Sequence, residues 1–164
     1  MMAEEIQPQD EFFMREALVE AQKAAAIGEI PIGAVIVKDG QIIARGFNES
    51  ITTNDPTAHA EIVAIRRAGQ ALNNYRLIDC ELYVTLEPCM MCAGSFVHSR
   101  LKRIIFGAGD SRHGALGTQL NVNTFASFNH RVMITQAVLA EECRTLIQSF
   151  FKERRQQQKS SRRE

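Results

Sequence analysis

Two short strings in this chain have to meet in space, and that requirement constrains the fold more than any other feature. They are His59-Ala60-Glu61 and Pro88-Cys89-Met90-Met91-Cys92, separated by 26 residues. One imidazole and two thiols supply three zinc ligands. The fourth tetrahedral position is then left to water, as in catalytic rather than structural zinc sites. A glutamate two residues from the histidine adds a proton carrier.

The spacing says where these residues belong. Cys89 and Cys92 are i, i+3 and share one face of a helix opened by Pro88. Side chains in a first turn lean back towards the helix start, where the dipole favours the thiolate form that zinc requires. His59 and Glu61 are i, i+2, about 200° apart on an ideal helix. They converge only at a helix start, with Thr57 or Asp55 as the N-cap.

The flanking elements can be read from local signals. Apolar positions at helical spacing (Phe13, Ala17, Ala21, Ala24, Ala25) predict a helix over 10–27, stopped by Gly28. A strand follows Pro31. The Asp39-Gly40 pair marks a tight hairpin, with a return strand to Phe47. The polar stretch 48–56 leads into a second helix from about Thr57 to Leu72. Strands are expected over 82–86, 103–107 and 132–134, and helices after Pro88 and from Gln136 to Arg155. Residues 108–130 show no period, and a loop of that length in a compact domain is usually functional. Alternating β and α elements after an opening hairpin indicate a mixed α/β sheet layered with helices.

Bulk properties narrow the class. The chain has 164 residues, 45% hydrophobic and 23% charged, as expected of one soluble globular domain. The longest apolar runs are far too short to span a bilayer, so no membrane association is expected. The N-terminus is acidic and lacks a secretory signal, which makes a cytoplasmic location the default. The four cysteines do not form a disulfide framework; Cys80 and Cys143 read as core. Net charge is zero but uneven. Residues 152–164 hold six Lys/Arg and two Glu, while the remainder holds 13 basic and 17 acidic residues. A basic end suits a polyanionic partner, and equally a solvated tail. Residues 1–155 are read as one domain built around the zinc ligands and 156–164 as a basic, disordered tail.

Taken alone, Cys89-Met90-Met91-Cys92 could be a redox pair or half of a structural zinc site, and His59-Ala60-Glu61 says little. A structural site needs a fourth ligand; His98, six residues past Cys92, is the nearest candidate, at a spacing that helical geometry does not favour. His113 and His130 read as loop or substrate-facing residues. Combined with Pro88 and the intervening strand, the two strings describe hydrolytic deamination. Zinc lowers the pKa of its water, Glu61 carries the proton to the ring nitrogen and the departing amine, and ammonia leaves.

The chain resembles the bacterial tRNA-specific adenosine deaminases of the cytidine/deoxycytidylate deaminase superfamily over about residues 12–155. The resemblance rests on Gly33-Ala34-Val35, Gly46-Phe47-Asn48, Asp55-Pro56-Thr57-Ala58-His59-Ala60-Glu61, Asn74-Tyr75-Arg76-Leu77, the run from Leu82 to Gly94 and His98-Ser99-Arg100. Ser95 and Phe96 are tolerable departures. Gly109 stands where a charged residue is common, while Asp110 keeps the acidic position. The resemblance implies a cytidine-deaminase-like three-layer α/β/α sandwich, with a mixed central sheet of about five strands and helices on both faces. It implies a hydrolase acting on C–N bonds of cyclic amidines, with one Zn2+ per subunit held by His59, Cys89 and Cys92 and with Glu61 catalytic. It also implies a homodimer that converts the wobble adenosine of tRNA-Arg (ACG) to inosine. Asn48 would bind the flipped base and Asp110 a neighbouring nucleotide. Phe151, Arg154 and Arg155 would meet the anticodon stem-loop. The residue chemistry agrees, since loop bases are read by edge hydrogen bonds and stacking and basic groups hold phosphates. Read without the resemblance, Asn48 could be a turn residue after a strand.

Two other readings compete. One is a zinc deaminase of a free base or nucleoside, of guanine or cytosine type, indifferent to loss of residues 152–164. The other is a non-enzymatic zinc-stabilised RNA-binding protein, in which Glu61 would be dispensable.

Overall fold

The computed structural model describes residues 3–163. Helix α1 (Asp10–Ala26) buries Phe13, Met14, Ala17, Ala21 and Ala24, steps of three and four that make one apolar face. It ends at Gly28, whose φ of 80° is the left-handed conformation glycine adopts without a Cβ penalty. Strands β1 (Gly33–Lys38) and β2 (Gln41–Phe47) form the opening hairpin. Asp39 and Gly40 both have positive φ, as a type I′ turn requires.

Strands β3 (Glu81–Leu86), β4 (Arg103–Ala108) and β5 (Met133–Thr135) complete a five-stranded sheet in the order β2-β1-β3-β4-β5. Strand β1 is antiparallel to both β2 and β3, with Ile36 opposite Leu82. The β3–β4 and β4–β5 pairs are parallel, with Val84 opposite Phe106. Side-chain alternation splits the core into two layers. Ala34, Ile36, Leu82, Val84, Ile104 and Phe106 pack beneath helices α2 (Ala60–Leu72) and α3 (Met90–Ser99). Val35, Val37, Tyr83 and Ile105 pack beneath α1 and α4 (Ala140–Ser161). The result is the three-layer α/β/α sandwich with a mixed five-stranded sheet and helices on both faces. Cys80 and Cys143 lie one in each core, as expected.

A buried ion network fastens α1 to the sheet. The Arg103 guanidinium, fully buried, meets Asp10 at 2.6 Å and Glu81 at 2.8 Å, and the Tyr83 hydroxyl donates to Asp10 at 2.7 Å. Burial alone would raise the Asp10 carboxyl. Hydrogen bonds from Arg103, Gln7 and Tyr83 outweigh it and hold the carboxyl below its ordinary value.

Three element boundaries differ from expectation. Helix α2 begins at Ala60 rather than Thr57, and α4 at Ala140 rather than Gln136. Ala137 and Leu139 both have positive φ, which no α-helix accommodates, and Val138 between them is anchored in the core. At its other end α4 runs on to Ser161, so residues 156–161 of the expected disordered tail are helical. That stretch holds Gln and Lys, good helix formers, and neither Pro nor Gly. Glu164 lies outside the described residues. No helix among the described residues is long and apolar enough to cross a membrane.

Candidate active site

Strand directions place the site. Strand β2 is antiparallel to β1, and β1 to β3, so β2, β3 and β4 all point the same way. Their carboxyl ends open on one edge of the sheet, where ligands of α/β folds collect. The connection after β2 carries His59, the one after β3 carries Cys89, and the one after β4 carries Asp110.

The loop after β2 is shaped locally. Asp55 Oδ1 accepts from the Thr57 amide and hydroxyl, forming an Asx turn. Neither Asp55 nor Thr57 caps α2, contrary to expectation. His59 occupies the N-cap position with an extended backbone (φ −72°, ψ 155°). Capping comes instead from Asn48, whose Oδ1 accepts from the Ala60 amide at 2.8 Å. Gly46 makes this approach possible, since a Cβ there would lie 2.7 Å from the Ala60 carbonyl oxygen and the Ala64 amide. The difficulty of the 200° separation disappears, because His59 is not on the helical wheel while Glu61 is. Cys89 likewise sits at the N-cap of α3 with an extended backbone, and Cys92 lies inside the first turn.

The two helix starts converge. His59 Nδ1 lies 3.6 Å from Cys89 Sγ and 3.5 Å from Cys92 Sγ. Zinc–sulfur and zinc–nitrogen bonds of ordinary length at the tetrahedral angle require a nitrogen–sulfur separation of about 3.6 Å. The donor set and its dimensions therefore fit a metal ion, with Nδ1 as the imidazole ligand. These three residues form the group among the described residues that could hold one. Hydrogen bonding from Cys92 and His59 outweighs burial and brings the Cys89 thiol down to about 4, whereas sharing with Cys89 and burial push the Cys92 thiol far up. Bonding to Cys89 raises the His59 imidazole. Glu61 is buried beside the triplet without belonging to it. Burial, reinforced by charge on Cys89, pushes its carboxyl up to about 7.

A cleft of about 980 Å³ opens over these residues. Asn48, His59, Glu61 and Cys89 line it, Asp110 joins them from the loop after β4, and Phe151 and Arg155 come from α4. Cys92 lies fully buried beneath. Arg154 is not on the cleft wall; its guanidinium lies 5.5 Å from the Phe150 ring centre. Because Asn48 Oδ1 is held by Ala60, its Nδ2 is the group left for a ligand, and among the described residues it has no protein partner. His113 lines the cleft near Asp110, His130 is bonded to the Leu101 carbonyl oxygen at 2.7 Å, and His98 is exposed outside the triplet. Glu87, unassigned from sequence, also lines the cleft, buried among backbone amides of residues 110–118. Its signal was present in the Glu87-Pro88-Cys89 string, but its partners lie 23–31 residues further on.

Residues 9–155 match the MafB19-like deaminase family. A tRNA-specific adenosine deaminase of Haemophilus influenzae is 51% identical over 92% of this chain and 87% of its own. A solved structure from work on A-to-I editing by tRNA:A34 deaminases at the wobble position of transfer RNA superposes with a TM-score of 0.77. It is 42% identical and covers 82% of this chain and 98% of its own. A guanine deaminase from Bacillus subtilis superposes with a TM-score of 0.58, at 48% identity over 60% of this chain and 64% of its own. With a deaminase match along almost its whole length and half its residues shared with a curated relative, this chain belongs to the tRNA-specific adenosine deaminase family.

Proposed function

We propose that this protein is a zinc-dependent tRNA adenosine deaminase that converts the wobble adenosine of an arginine tRNA with an ACG anticodon to inosine. The observation that carries the reading is the composition of the cleft. His59, Cys89, Glu61 and Asn48 line it above the buried Cys92, and an aromatic and a basic residue of α4, Phe151 and Arg155, join them.

His59 Nδ1, Cys89 and Cys92 would hold the zinc ion. Bound there, zinc supplies the Lewis acidity that makes water a nucleophile at neutral pH. The chain's own groups do the rest. Asn48 Nδ2 donates to an acceptor on the edge of the flipped adenine and orients it. Glu61 takes the proton of the attacking water and passes it to N1 as the oxygen joins C6. It then takes the proton of the new C6 hydroxyl and delivers it to the amine; the carbonyl forms as the C6–N6 bond breaks, and ammonia leaves. Position supports this role, because Glu61 lies buried on the cleft beside the triplet without belonging to it, free to carry a proton rather than hold the metal.

Asp110 and Phe151 meet nucleotides flanking the flipped base, and Arg155 meets phosphate. Arg154, against Phe150 and off the cleft wall, meets the anticodon loop with them. The protein works as a homodimer in the cytoplasm, where its tRNA is found.

The test is incubation of zinc-loaded protein with that tRNA, followed by sequencing for inosine. Conversion confined to the wobble base is expected. An unchanged tRNA together with turnover of free guanine or cytosine would replace this reading with a small-molecule deaminase.

A further inference from the structure

Glu87 stands two residues before Cys89 and is 2% exposed. Its carboxylate is the hub of the loop that follows β4. Oε1 accepts from the Asp110 amide at 3.2 Å and from the Thr118 hydroxyl. Oε2 accepts from the Leu116 amide at 3.1 Å and from the Thr118 amide at 3.2 Å. The backbone on either side is stitched to the same segment. The Glu87 amide donates to Ala108 at 2.8 Å, and the Ala115 amide donates to the Pro88 carbonyl at 2.9 Å. Gly114 packs so closely that a Cβ there would lie 2.3 Å from the Glu87 carboxyl carbon.

These bonds have one direction. All four donors come from residues 110–118, a segment without helix or strand that supplies Asp110, Ser111, Arg112 and His113 to the cleft wall. The acceptor belongs to the rigid strand-to-helix connection that places Cys89. The Asp110 carboxylate is itself occupied in shaping the turn, accepting from the Arg112 and His113 amides.

Resting on the tRNA deaminase reading above, we propose that Glu87 is a positioning residue. It holds the 110–118 segment in register with the metal-site strand, and RNA affinity rather than the chemical step depends on it.

Glutamine at 87 has one oxygen and one amide group, so two of the four donors would face donors of its own. Thr118→Val removes the hydroxyl bond alone. Gly114→Ala drives a methyl group into the carboxylate from outside.

The experiment uses zinc-loaded full-length protein and a fluorescent anticodon hairpin carrying ACG. Binding is read by anisotropy, turnover by inosine formation, and zinc content directly. Glu87→Gln is expected to raise KM and Kd about tenfold, the scale of one hydrogen bond to a charged group. Its kcat should stay within about threefold of wild type, with zinc content unaltered. Thr118→Val should raise KM and Kd about threefold. Where Glu87→Gln fails to fold, Thr118→Val and Gly114→Ala carry the same split between KM and kcat. Soluble variants with wild-type KM and Kd, or with losses confined to kcat or zinc, overturn the role of Glu87 alone. A wild-type protein that leaves the hairpin unchanged overturns the functional reading, and this inference with it.

Discussion

Asn48 serves two masters, and two substitutions separate them. Its Oδ1 accepts from the Ala60 amide at 2.8 Å, caps α2 from 12 residues away, and leaves Nδ2 on the cleft for the base contact proposed above. Asn48→Ala removes both functions. The Ala60 amide is then left at a buried helix start, which costs about 1–3 kcal/mol for an unsatisfied donor and about 0.5–2 kcal/mol by the measure of lost caps. Water entering from the cleft can replace part of the bond, so about 1.5 kcal/mol is expected. For a chain of this size that lowers Tm by about 3–6 °C. Asn48→Asp keeps an acceptor for Ala60 at a helix N-terminus, where negative charge is favourable, but replaces the donor with a second acceptor. It should melt near the wild-type temperature and lose most turnover. The assays are thermal unfolding of the zinc-loaded proteins and inosine formation on the anticodon hairpin. An Asn48→Ala protein with the wild-type Tm would refute the capping argument. An Asn48→Asp protein with full activity would refute the assignment of Nδ2 to the base.

Glu61→Ala should keep its zinc, measured by metal analysis, while kcat falls by about 10²–10⁴-fold; loss of the metal would make Glu61 a ligand and end the proton-carrier mechanism. Arg155→Ala should weaken hairpin binding and flatten its salt dependence by about 0.7 in the log–log slope, as for one single-strand phosphate contact. Arg154→Ala, off the cleft wall, should do less, and equal slopes from titrations in increasing salt would contradict that ranking. Arg103→Leu should destabilise the fold by about 3–5 kcal/mol at neutral pH in urea unfolding, because it strands the Asp10 carboxylate in the core. The pH dependence has a definite sign. Asp10 is held below its ordinary value, so its contribution is complete above the unfolded carboxylate range and is lost as pH falls through the folded value. The gap between wild type and Arg103→Leu should therefore narrow in acid, and a constant gap would place the effect elsewhere.

Much of the chemistry was legible in the residues because it is local. The i, i+3 cysteines after a proline, the Asp39-Gly40 hairpin and the apolar face of α1 each depend on neighbours within one or two turns of chain. The alternation of Ala34, Val35, Ile36 and Val37 between two cores follows from the strand itself once both faces of the sheet are covered. Where expectation and structure parted, long-range contacts decided. The start of α2 could not be read because its cap, Asn48, comes from the end of β2, which reaches the helix only where Gly46 lets strand and helix touch. The start of α4 was hidden because anchoring Val138 in the core forces its neighbours into left-handed backbone conformations.

The sequence by itself picked out His59, Cys89 and Cys92 as a group that could hold a metal, and the layered α/β class, since residue types at fixed spacing specify donors and periods. Only the tertiary structure decided that Nδ1 of His59 meets both sulfurs at about 3.5 Å, that Asn48 offers Nδ2, that Arg155 rather than Arg154 reaches the cleft, and that Glu87 holds the loop behind Asp110. Those facts depend on strands β2, β3 and β4 ending at one edge of the sheet, and strand pairing is a property of the closed chain that no local window of residues contains.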